Sequence, residues 1–149
     1  MKLMLVCTSG GHFSTMRGLE LFWSRHDRVW VTDRKKDTAW LESKEVVHWL
    51  PYQAPRDWLV FLINMPSTVK LLLKESPDII VSTGASVAVN FAVVAKVLGV
   101  RYMYIESISR SQQLSLSGRI IYFLCDEFYV QWPELAERYP KAVFEGVVT

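Results

Sequence analysis

Cysteine is scarce: the 149 residues hold only Cys7 and Cys125, each inside an apolar run and neither with CxxC or Cys/His spacing. That excludes a disulfide scaffold and gives no set of metal ligands, so two buried free thiols in a reducing compartment are expected, and no metal. Long hydrophobic runs are also missing. No stretch approaches the roughly 20 apolar residues that a spanning helix needs, and the short run after Met1-Lys2 cannot serve as the core of a signal peptide. A cytoplasmic chain is expected. Charge of one sign is too weak to imply nucleic acid, the formal net charge being +2. Neither GxGxxG nor a Gly-Lys-Ser/Thr loop occurs, which removes the dinucleotide fingerprint and the P-loop. Internal repeats, low-complexity tracts and linkers are absent too, so residues 1–149 are read as one domain.

What is present suits a packed core. Half of the residues are hydrophobic and 21% are charged, a globular composition. Residues 1–75 carry eleven Lys/Arg against eight Asp/Glu, and the remainder six against seven. A mildly basic first half suits an anionic surface or phosphates, and equally an ordinary solvated face. Leu3 to Cys7 is apolar on both faces and reads as a central strand ending in a tight turn. Phe13, Met16, Leu19 and Phe22 then recur at helical spacing, predicting a helix from His12 to about Trp23. Further strands are expected at Arg28–Thr32, near Val46–His48, at Ile79–Val81, Arg101–Ile105, 127–131 and 142–145. Helices are expected at 58–75, kinked or broken at Pro66, at 86–98 closed by Gly99, around 114–125, and after Pro133. Residues 49–57, with two prolines, read as loop. Alternating strands and helices with near-continuous apolar strands predict an α/β fold, a Rossmann-like parallel sheet with helices on both faces.

In such a sheet ligands bind outside the carboxyl ends of the strands. Three of these ends carry a chemical signal. At Ser9-Gly10-Gly11-His12 two glycines let backbone amides approach an anion, the following helix adds partial positive charge, and His12 can donate to a phosphate or act on a hydroxyl. Ser82-Thr83-Gly84-Ala85 repeats the arrangement before an Ala/Val-rich helix. Both turns read equally well as strand-to-helix corners with serine caps. Glu106, after the strand Tyr102–Ile105, is a candidate general base or sugar ligand, or a solvated strand-end carboxylate. His26 and His48 have no partners in sequence and read as structural or surface residues. The segment from Trp49 to Met65 is apolar all round near Trp58, Phe61, Leu62 and Ile63. It suits core, a partner surface or a lipid interface, with Trp49, Trp58, Phe61 and Leu62 as the membrane-contact candidates.

Ser-Gly-Gly-His after the first strand, Ser-Thr-Gly-Ala before the Ala/Val helix, Lys96-Val97-Leu98-Gly99 and Tyr104-Ile105-Glu106-Ser107 follow one another in a fixed order. Together they resemble the membrane-side subunit of the two-part N-acetylglucosaminyltransferase of asparagine-linked glycosylation, protein fourteen of that pathway. They are also similar to its PssD-like bacterial counterparts in capsule and exopolysaccharide synthesis. The resemblance runs from Met1 to Gly146. It implies the N-terminal, acceptor-binding half of a GT-B glycosyltransferase such as the lipid II-forming enzyme, inactive alone. A separately encoded subunit would bind the UDP-sugar, and the acceptor would be a polyprenyl-diphosphate-linked saccharide. No cofactor is implied. By motif, Ser9, Gly10, Gly11 and His12 would lie at the acceptor diphosphate, Ser82, Thr83, Gly84 and Ala85 would line the same cleft, and His12 or Glu106 would be the base. The eukaryotic pattern has a transmembrane helix before the first strand, and none is expected here. Attachment to the inner face of the cell membrane is therefore expected through Trp49–Met65, basic side chains or the partner. The competing reading is a non-catalytic recruiter that stabilises the other subunit.

Overall fold

In a computed structural model that describes residues 1–148, seven strands form one sheet. The strands are β1 Lys2–Val6, β2 Asp27–Thr32, β3 Val47–Trp49, β4 Ile79–Ser82, β5 Arg101–Ile105, β6 Glu127–Val130 and β7 Ala142–Phe144. Their order is β3-β2-β1-β4-β5-β6-β7, and every neighbouring pair is parallel. The chain winds outward from β1 to one edge, returns to β4, and winds to the other edge. That reversal places a topological switch between β1 and β4, where an open sheet leaves a crevice.

The helices are α1 Gly11–Gly18, α2 Glu20–Trp23, α3 Leu41–Lys44, α4 Trp58–Glu75, α5 Val87–Leu98, α6 Leu116–Ile121 and α7 Pro133–Arg138. Alternation along β1 divides the core. Leu3, Leu5 and Cys7 pack with Phe13, Met16, Trp23 and Leu41, from α1 to α3. Met4 and Val6 pack on the opposite face with Leu72, Phe91, Ile121 and Leu135, from α4 to α7. Helices on both faces are thus the arrangement the sequence pattern calls for. Each fully buried side chain of this size stabilises the fold by roughly 1.5–3 kcal/mol. Burial also pushes the thiols of Cys7 and Cys125 up, so both stay protonated and unreactive.

Several expected boundaries move. The helix read from His12 to Trp23 is two helices, because the chain turns at Gly18-Leu19, where the Leu19 amide bonds to the Met16 carbonyl at 3.1 Å. The segment around 41–44, where no element is expected, is the short helix α3. The helix expected to reach Cys125 stops at Ile121 and continues as tighter turns, with the amides of Phe123 and Leu124 bonded three residues back, and the Lys141 ammonium binds the carbonyls of Tyr122 and Cys125 beyond it. Pro66 does not break α4, which runs from Trp58 to Glu75. The carbonyl that Pro66 leaves unpaired belongs to Leu62, a residue 64% exposed, so water can satisfy it.

Opposite the crevice, α4 is tied to the sheet by one carboxylate. Glu75 accepts from Lys2 Nζ at 2.8 Å and from His48 Nε2 at 2.7 Å, joining α4 to β1 and β3. The Lys2 hydrogen bond, aided by His48, holds the Glu75 carboxyl below its ordinary range. A depressed carboxylate contributes stability that is complete above its unfolded value and fades as pH falls through the folded one. Wild type is therefore expected to lose more stability than Glu75→Gln as pH drops below about 4. Urea unfolding of both proteins across that window checks the expectation.

Candidate functional site

The carboxyl ends of β1, β4 and β5 meet at an open cleft of about 550 Å³. Ser9, Gly10 and His12 line it from the first turn, Ala85 and Ser86 from the second, and Ser107 from the third. Not all of the expected residues face it. Ser82 and Thr83 lie beneath the surface, fully buried, and the Ser82 hydroxyl accepts the Gly84 amide at 3.3 Å.

His12 is held from two sides. Its Nδ1 lies 2.8 Å from the Thr83 carbonyl, and the Thr83 hydroxyl donates to the His12 carbonyl at 2.6 Å. A carbonyl only accepts, so Nδ1 carries the proton, and the neutral ring keeps its lone pair on Nε2. Nε2 has no hydrogen-bond partner among the described residues. Gly84 makes room for this ring. A Cβ there would stand 2.7 Å from His12 Nδ1 and Cε1, and the backbone has φ +123°. Gly84→Ala is expected to lower stability by about 1–3 kcal/mol and to push the imidazole off Thr83. Thermal unfolding and loss of the slowed Nδ1–H exchange in imidazole NMR check this. A variant with wild-type stability and an unchanged ring signal would show that the packing is loose.

The first turn holds anions less freely than its glycines suggest. Asp33, 5% exposed at the end of β2, accepts both the Ser9 amide and the Ser9 hydroxyl at 2.7 Å. Asp37 accepts the Gly10 amide at 2.7 Å. The α1 amides left without a partner among the described residues are those of Gly11, His12 and Phe13, because the first helical bond runs from Ser14 to Gly10. Neither aspartate stands out in sequence, since the contact spans 24 residues for Asp33 and 27 for Asp37.

Glu106 lies under the cleft and not in it. It is 1% exposed and surrounded by donors: the Ser107 amide at 2.9 Å, the Ser115 amide at 3.0 Å and the Ser115 hydroxyl at 2.9 Å. Gly118 is what admits it, because a Cβ at that position would run into Glu106 Oε2. Burial, and then the adjacent Glu106, push the Tyr104 hydroxyl up, so that phenol stays protonated beside it. The carboxylate thus anchors both ends of the segment from Ser107 to Ser115, which carries Arg110 to the cleft wall.

The remaining wall comes from the loop read as a plain connection. Gln53, Arg56, Asp57 and Trp58 line the cleft, with Ser86 Oγ bonded to the Gln53 carbonyl at 3.0 Å. Two prolines marked a loop there, but nothing in its composition said that it folds over α5. The four apolar candidates separate. Trp58 and Leu62 are 57% and 64% exposed on α4, as are the neighbouring Leu59, Ile63 and Leu73. Phe61 is half-buried and lines the cleft. Trp49 belongs to the other face of the sheet, its indole donating to Glu42 at 3.2 Å. No helix among the described residues is long and apolar enough to cross a membrane.

Comparison with known proteins follows the same lines. Residues 54–148 match the family described as oligosaccharide biosynthesis protein Alg14 like. A protein of Yarrowia lipolytica named UDP-N-acetylglucosamine transferase subunit ALG14 is 37% identical over 175 residues, 99% of this chain and 81% of its own. The mouse protein of that name is 30% identical over 178 residues, covering 98% and 82%. Among solved structures, MurG of Acinetobacter baumannii superposes with a TM-score of 0.73 at 13% identity, over 90% of this chain and 43% of its own. The S. aureus MnaA–UDP complex gives 0.78 at 13% identity, over 99% and 45%. This chain therefore spans less than half of each of these structures and has the fold of one half of a GT-B protein. With that fold and these relatives, the chain belongs to the Alg14-like family of oligosaccharide biosynthesis proteins.

Proposed function

We propose that this chain is the acceptor-side half of a two-chain glycosyltransferase of polysaccharide biosynthesis. It would move a sugar from a UDP-sugar to a polyprenyl-diphosphate-linked saccharide. The observation that carries this reading is His12, whose Nδ1–H is committed to Thr83 while Nε2 stays unpaired at a cleft on the switch point. A lone pair so fixed suits a general base. Nε2 takes the proton of the acceptor hydroxyl, the hydroxyl oxygen bonds to the anomeric carbon, and the bond from that carbon to the UDP oxygen breaks. His12 fills this role better than Glu106, whose oxygens are occupied by serine amides and a hydroxyl. N-acetylglucosamine, the sugar named for the relatives, is the first donor to test.

In this reading a partner chain supplies the donor-binding wall. Trp58 belongs both to the cleft and to the exposed apolar stripe of α4. In this reading the stripe lies at the surface of a lipid layer, with the cleft mouth beside the acceptor headgroup. The test is sugar transfer to a polyprenyl-diphosphate acceptor by each chain alone and by the two together. Turnover is expected only from the pair. Full turnover by this chain alone would remove the half-enzyme reading.

A further inference from the structure

The proposed reading leaves one question of charge. A diphosphate needs cations, yet the Ser9 and Gly10 amides are already taken by Asp33 and Asp37. Three side chains around the cleft can supply them, each from a different loop: Lys35 after β2, Arg56 before α4 and Arg110 after β5. None is in an ion pair among the described residues. The two carboxylates on the same walls are committed to backbone amides, Asp37 to Gly10 at 2.7 Å and Asp57 to Val60 at 3.1 Å. The three cations thus outnumber the two carboxylates on the cleft walls.

Lys35 is positioned through its side chain, and Arg56 and Arg110 through their backbones. Lys35 Nζ lies 4.4 Å from the centre of the Tyr52 ring, another cleft residue, which holds the ammonium by a cation–π contact. Arg110 rides on the segment that Glu106 anchors, its amide bonded to the Ser107 carbonyl at 3.0 Å. Arg56 has φ 61°, a left-handed backbone that arginine rarely adopts, and the same loop is pinned at Gln53 by Ser86 Oγ. Only three non-glycine residues among those described share that conformation, and two of them, Arg56 and Ala85, line this cleft. Strain gathered at one wall marks a surface held in shape for a ligand.

We infer that Lys35, Arg56 and Arg110 form a three-sided clamp for the diphosphate of the acceptor, resting on the acceptor-half reading above. Three cations on separate walls match an anion with two phosphates better than a single phosphate, and guanidinium groups bond phosphate oxygens in pairs. The same cleft is also lined by the apolar residues Trp58, Phe61, Val89 and Ile120, which suit a lipid chain better than a uridine.

Calorimetric titration of the full chain with inorganic phosphate, pyrophosphate, farnesyl diphosphate and UDP tests the clamp. Wild type is expected to bind pyrophosphate about tenfold more tightly than phosphate, farnesyl diphosphate more tightly still, and UDP no better than pyrophosphate. Arg56→Gln, Arg110→Gln and Lys35→Gln should each weaken pyrophosphate roughly five- to tenfold. Arg101→Gln, which removes a cation paired with Glu127 at the other end of β5, should not. All three target side chains are exposed, so unfolding curves should overlay wild type. A wild-type chain that does not distinguish pyrophosphate from phosphate, or an Arg56→Gln/Arg110→Gln double variant that binds normally, overturns the clamp. Tighter binding of UDP through the same residues overturns its assignment to the acceptor. The half-enzyme reading stands or falls separately, on the transfer assay with the partner.

Discussion

A His12→Gln chain mixed with its partner is expected to transfer sugar about 10²- to 10⁴-fold more slowly than wild type, the range for removing a positioned base. The fall should lie in kcat, with the KM for the acceptor close to wild type, because glutamine can still donate to Thr83 but offers no basic nitrogen. Co-purification with the partner should be unchanged, since the ring sits inside the cleft between α1 and Gly84. Steady-state kinetics of the purified pair decide the matter. Activity within a few-fold of wild type would move the base to the partner.

Glu106→Ala is expected to have the largest effect on stability. It strips the acceptor from the Ser107 amide, the Ser115 amide and the Ser115 hydroxyl, all at or below 3.0 Å. Each buried donor left without a partner costs about 1–3 kcal/mol, so a loss of about 3–5 kcal/mol is expected even if water reaches some of them. That is a large share of the roughly 5–15 kcal/mol that holds a domain together. Glu106→Gln keeps the size and one acceptor but turns an NH₂ toward other donors, and should fall between wild type and alanine. Gly118→Ala should resemble Glu106→Ala, because its methyl group would take the place of Oε2. Urea unfolding reads all three. A Glu106→Ala chain less than 1 kcal/mol below wild type would contradict the anchoring role and return Glu106 to consideration as the base.

The two residues named together as candidate bases are separated by these results for a physical reason. His12 and Glu106 both follow strands, and nothing local distinguishes a strand-end side chain that opens to a cleft from one that turns under it. What turns Glu106 under is Gly118, twelve positions downstream, whose missing Cβ leaves the space. What opens His12 is Gly84, which leaves room for the Nδ1–Cε1 edge of the imidazole. Both contacts depend on the sheet bringing distant turns together. The same holds for Asp33 and Asp37, whose bonds to Ser9 and Gly10 could not be read from a motif that contains neither aspartate.

By itself the sequence determined the alternation of strands and helices, the doubly covered β1, and the three polar turns at strand ends. These follow from local properties: apolar periodicity, glycine where the backbone turns, and proline where amides are lost. It also carried the family resemblance, through four short motifs in one order along the chain. Only the tertiary structure decided which carboxylate is sequestered and which imidazole nitrogen is free. It alone brought Lys35, Arg56 and Arg110 to one cleft from loops on three different connections. Strand and helix are set by neighbours along the chain, whereas burial, tautomer and shared charge are set by neighbours in space.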